Sequence, residues 1–100
     1  MRYEFHPEAV AEYEDAARYY AERQAGLELR FIESVEAAIQ IVADTQAQSR
    51  ILEEDVRRCL VHVFPYALLY TIEADYVLIV AVMHCSRKPG YWRRRRESAT

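Results

Sequence analysis

The sequence predicts an α+β domain: an N-terminal strand, an antiparallel helix hairpin, and a mainly antiparallel sheet ending in a three-stranded meander. Three observations carry this. Apolar residues recur at three- and four-residue spacing from Val10 to Val42, the pattern of helices with one buried stripe. From Val56 the pattern changes to short runs rich in β-branched and aromatic residues, punctuated by Pro65 and by Ala74-Asp75. The last of these runs, Tyr76 to Met83, is apolar at odd and even positions alike, as expected of a strand covered on both faces.

Tyr3-Glu4-Phe5 alternates as a short strand does, and His6-Pro7-Glu8 then opens a helix. Proline is favoured at the first helical position because its missing N–H has no partner there, and Glu8 meets the positive end of the helix dipole. Val10, Tyr13, Ala17 and Tyr20 form the stripe, with Glu12, Glu14, Asp15, Arg18 and Glu22 assigned to solvent. Gly26 supplies a left-handed turn. A second stripe, Leu27, Phe31, Val35, Ala38 and Val42, continues from it, and so short a connection makes the two helices antiparallel. Asp44 to Ser49 reads as a loop; Ile51 to Asp55 has no clear assignment.

The three strands are expected at Arg57 to Phe64, Tyr66 to Glu73 and Tyr76 to Cys85. Period two places Arg58, Leu60, His62 and Phe64 on one face, and His84 with Val80 and Val82. The helix hairpin covers one face of the last strand, and a partner protein or a second copy of the chain is expected to cover the other. Arg93 to Arg96, with Glu97 to Thr100 behind them, read as a solvated tail or as a polyanion contact. The domain itself spans residues 1–96 and the tail 97–100.

With 52% hydrophobic residues the 100-residue chain can bury a core without disulfides or metal. Cys59 and Cys85 lack metal-site spacing and are expected to be buried thiols. No apolar run reaches the roughly 20 residues of a membrane helix, and Met1 to Phe5 lack a signal-peptide core, so a cytoplasmic protein is expected. The net charge of −3 conceals an asymmetry: five Arg face thirteen Asp or Glu up to residue 56, and eight Arg or Lys face three from residue 57 onward. The second half is therefore the anion-facing half.

The chemistry-bearing residues are concentrated there: Arg57, Arg58, His62, His84, Arg87, Lys88, Tyr91 and Trp92, with Arg93 and Arg94 beyond. A His or Tyr that moves a proton and an Arg that stabilises charge on a phosphorus-bound oxygen would cleave RNA through the ribose 2′-hydroxyl. The same groups would equally hold an acidic partner, and the residues alone leave both open. Tyr91 and Trp92 also read as packing residues that fold the tail against the sheet. No cofactor or metal is implied.

The stretches "HPEAVAEYEDAARYYAER", "VRRCLVHVFPYALLYTIE" and "VLIVAVMHCSRKPGYWRRR" resemble the RelE/ParE toxin superfamily over residues 2–96. The strongest marks are Phe64-Pro65-Tyr66, Leu69-Tyr70 and the ending His84-x-x-Arg87-x-Pro89-x-Tyr91-Trp92. The resemblance implies a toxin of a type II toxin–antitoxin, or plasmid-stabilisation, pair, silenced by a cognate antitoxin. The ParE-like branch implies an inhibitor of DNA gyrase with no reaction of its own; Arg57, Arg87, Lys88, Trp92, Arg93 and Arg94, taken from the chemistry-bearing residues above, are the ones expected to bind the target. The RelE-like branch implies a ribosome-dependent mRNA endoribonuclease, with Arg58, Arg87 and Tyr91 at comparable positions and His84 beside them. A third alternative is a non-toxic remnant that only binds its partner. The acidic stretch Glu53-Glu54-Asp55 and a pI near 5.6 suit an RNA contact poorly and favour the ParE-like reading.

Overall fold

A computed structural model describes residues 1–45 and 50–98, with the backbone alone for residues 97 and 98. The elements run in the order β1 (Arg2–Phe5), α1 (Pro7–Arg23), α2 (Leu27–Asp44), β2 (Arg50–Glu53), β3 (Val56–Leu60), β4 (Tyr66–Ile72), β5 (Tyr76–His84) and α3 (Arg93–Ser98). One five-stranded sheet has the order β1-β5-β4-β3-β2, with β1 parallel to β5 and every other pair antiparallel. The α+β class, the helix hairpin and the meander stand as expected. Residues 46–49 of the expected loop, and residues 99 and 100, lie outside the described residues.

Local chemistry sets the helix ends. The His6 Nδ1 accepts a hydrogen bond from the Glu8 amide at 3.1 Å, and Pro7 takes the first turn. Gly26, at φ 86°, makes the left-handed step between α1 and α2. The hairpin lies on one face of the sheet, where Phe31, Val35, Val42, Leu68, Tyr70, Val77, Ile79 and Val82 form the main core. Tyr13, Tyr20, Phe64 and Tyr66 pack around Phe31 at its margin, and Phe5 stacks on Tyr13.

Several expectations are corrected. The segment Ile51 to Asp55, which has no clear assignment from sequence, supplies most of β2 and the turn into β3, which makes the meander four strands rather than three. The expected strand from Arg57 to Phe64 ends at Leu60, because Val63 adopts φ 74° and turns the chain. Phe64 therefore joins the helix-side core, while Arg58, opposite Leu69, stays on the other face. In β5, Leu69 pairs with Ala81 and Tyr70 with Ile79, so Val80 is an unpaired bulge residue. The bulge reverses the alternation: Val80 faces away from the helices, while Val82 faces them, as does His84 opposite the core-packed Tyr66. The cysteines are not both buried either; Cys59 is half-buried and Cys85 exposed.

The second face of the sheet needs no partner to cover its centre. Trp92, 3% exposed, lies with Val56, Ala67, Leu69, Val80, Ala81 and Met83 in a smaller core, flanked by Leu78 and Tyr91. The residues read as a tail thus form a strap, Tyr91 to Arg96, that crosses this face and ends in α3. Burial of an indole side chain contributes on the order of 2–3 kcal/mol toward the cost of ordering this segment.

Candidate functional site

Two adjoining depressions meet at Arg87. The first lies where β5 runs past the end of β1. The last backbone link between the two segments is the His6 amide to the Ile79 carbonyl, at 2.9 Å. Beyond it the edge of β5 would be bare, and side chains complete it. The Val82 amide donates to Glu12 Oε1 at 3.0 Å, and Arg95 donates to the Val80 carbonyl at 3.1 Å and to Glu12 at 2.8 Å. The Tyr91 hydroxyl donates to the other carboxylate oxygen of Glu12, and Arg87 lies 3.9 Å from it. Burial opposes the charge on Arg95, which is 5% exposed, but its contact with Glu12 outweighs burial and holds the guanidinium above its ordinary range. Burial, then the Glu12 carboxylate, pushes the Tyr91 phenol well above its ordinary value of 10.0. Arg87 and Arg95 stand over its ring at 4.0 and 5.0 Å.

Beside this cluster opens a cleft of about 230 Å³ lined by Glu12, Asp15, Tyr19, Tyr66, His84 and Arg87. The His84 ring meets Tyr66 edge-on at 5.1 Å, and its Nδ1 accepts the Ser86 amide at 3.0 Å. That bond places the proton of the neutral ring on Nε2.

The second depression, about 220 Å³, lies on the strap side and is lined by Leu52, Arg58, Met83, Cys85, Arg87 and Trp92, with Arg93 at its rim. Arg93 is committed there to a two-pronged contact with Glu53, which also lines the depression, both distances 2.6 Å. Its guanidinium passes over Gly90, where a Cβ would lie 2.4 Å from the Arg93 side chain and where φ is 79°. Among the described residues no group of three His, Cys, Asp or Glu side chains is placed to hold a metal ion, and no helix is long and apolar enough to cross a membrane.

The predicted residues fall into separate groups. Arg87 and Tyr91 are stacked together, and Arg58 shares a groove with Arg87. His84 projects from the helix face while Arg58 projects from the opposite one, so the four candidate catalytic residues do not converge on one point. Of the candidate contact residues, Arg57 is half-buried on β3, and Arg87, Lys88 and Arg94 are exposed; Trp92 is buried, and Arg93 is committed to Glu53. Exposed His62 lies in the loop after β3 and does not line the groove. Sequence reasoning missed Glu12 and Arg95. Glu12 reads as one more solvated helix residue and Arg95 as one more cation in a tail, and 83 positions separate them in the chain.

Comparison with known proteins bears on the whole fold. The family model described as the ParE toxin of the type II toxin–antitoxin system parDE matches residues 3–89. A solved structure titled "Chromosomal ParDE TA system from P. aeruginosa" is similar, with a TM-score of 0.71 and 15% sequence identity over 84% of this chain and 95% of that one. No curated protein matches. Since the family match runs from β1 through the turn after β5, this chain belongs to the ParE toxin family of type II toxin–antitoxin systems.

Proposed function

We propose that the chain is the toxin of a toxin–antitoxin pair, that it acts by binding DNA gyrase, and that a cognate antitoxin neutralises it. Family membership supports the toxin and its antitoxin partner. The observation that favours binding over RNA cleavage is the separation of the candidate catalytic groups. Proton transfer requires the acid or base within hydrogen-bond reach of the reacting oxygen, and His84 stands across the sheet from Arg58. The Tyr91 hydroxyl is spent on Glu12, and its raised pKa leaves it a poor acid at neutral pH. Arg87 remains an exposed cation for which both depressions provide a setting, and it is the first residue assigned to target contact, followed by the exposed Lys88 and Arg94.

Induction in a bacterial host, with thymidine and amino-acid incorporation followed side by side, tests this reading. DNA synthesis is expected to fall first, and Arg87→Ala to abolish the effect without unfolding the chain. A primary fall in protein synthesis, or unimpaired toxicity of Arg87→Ala, would overturn it. With purified components, inhibition of gyrase supercoiling that is relieved by the antitoxin is the direct measurement.

A further inference from the structure

Across the β2–β3 pair, Arg50 stands directly opposite Arg58. Like charges facing one another on adjacent strands destabilise a sheet, so an unrelieved pair calls for a reason. Neither guanidinium has an ion pair or hydrogen bond among the described residues. Acidic residues are close in sequence, yet Glu53 is taken by Arg93 and Asp55 by Arg96. In the strap, Arg93, Arg95 and Arg96 are each neutralised by a carboxylate, and this cross-strand pair is not.

The surroundings of the pair are open, with exposed apolar side chains beside the two cations. Arg50, Ile51, Leu52 and Arg58 line a cavity of about 270 Å³, and Arg58 and Leu52 also line the groove that leads to Arg87. Leu60, next on the same face of β3, is 61% exposed, and Leu52 is 44% exposed. Trp92 closes the centre of this face and stops short of that margin.

We propose that Arg50 and Arg58 form a carboxylate-binding pair that receives an acidic side chain from an apolar segment of a partner protein, with Leu52 and Leu60 meeting its apolar residues. Two guanidiniums on one face can donate to both oxygens of a single carboxylate, an interaction stronger than a neutral hydrogen bond. Charge complementarity names the acid, and the flanking leucines name a protein segment. A nucleic acid would find no long cationic track here and no exposed aromatic ring on which a base could stack, since Trp92 is buried. Binding at this pair does not depend on which target the toxin inhibits.

The test is a titration of the full chain with a short peptide of alternating leucine and glutamate, read by amide chemical shifts. Saturable shifts are expected at Arg50, Leu52, Arg58 and Leu60. Affinity should fall about tenfold for Arg58→Met and to a similar extent when glutamine replaces glutamate in the peptide. Because the substitution removes an opposed charge, the melting temperature of free Arg58→Met should equal or exceed that of the parent chain. No saturable shift, equal binding of the glutamine peptide, preferential binding of a single-stranded RNA, or a clear loss of stability in Arg58→Met would each overturn the proposal.

Discussion

Glu12 holds together three parts of the chain that are distant in sequence. Its carboxylate accepts from the Val82 amide of β5, from the Tyr91 hydroxyl and from Arg95, while its own backbone belongs to α1. A buried charge left without its partner is costly, so Glu12→Gln is expected to lower stability by about 3–5 kcal/mol in urea unfolding. The double variant Glu12→Gln with Arg95→Met should lose less than the two single losses together, which a double-mutant cycle measures. Tyr91 gives this cluster a pH dependence. Its phenol titrates higher in the folded chain than in the unfolded one, so its contribution is complete below about pH 10 and declines as pH rises through the folded value. Tyr91→Phe should therefore unfold with a shallower loss of stability above that pH, as thermal melts in a pH series will record.

At the scale of the element, the bulge at Val80 and the strap from Tyr91 to Arg96 explain one another. The bulge keeps Val77 and Ile79 on the helix side, then returns Val82 to that side after one extra residue, and leaves both Val80 and Ala81 against Trp92. A run apolar at every position suits this arrangement, because both faces of β5 are buried at once. The strap is anchored at its centre by Trp92 and along its length by Arg93 to Glu53, Arg95 to Glu12 and Arg96 to Asp55. Exposed ion pairs contribute little, typically below about 1 kcal/mol, so the indole and the buried pair carry most of the attachment. Trp92→Ala is expected to cost about 3–5 kcal/mol, seen as an early melting transition. Arg94→Ala, which changes an exposed side chain of α3, should leave the melt unchanged.

At the scale of the whole molecule, the strap alters what the chain needs from others. An apolar β5 suggested that a partner or a second copy must cover the far face of the sheet, but the chain folds its own C-terminal segment over the centre of that face. The intact chain is expected to sediment as a monomer, and a chain ending at Gly90 to dimerise or aggregate through Val56, Leu69, Val80 and Ala81; a monomeric truncation in analytical ultracentrifugation would contradict this. What stays open on the surface lies at the margins, and the proposed contacts fall there: the Arg87 end, where the two depressions meet, and the β2–β3 edge with Arg50 and Arg58.

The helix hairpin, the turn at Ala74-Asp75 and the central β5 were legible in the sequence, because helical and strand periodicities, capping residues and turn chemistry act over a few neighbouring positions. The resemblance carried by Phe64-Pro65-Tyr66 and by the ending around Arg87 placed the chain in its superfamily. Arg87 and Arg58 were legible as candidates by charge at a strand end and on a strand face. The side of the sheet on which each candidate falls was not legible, since one bulge at Val80 and one turn at Val63 reverse a period-two count. The pairing of Glu12 with Arg95 was not legible either, because it is made only where α1 and the strap both reach the open edge of β5. Periodicity determined the elements; tertiary structure decided which charges are neutralised inside the fold and which stay exposed, because that depends on distances no local pattern encodes.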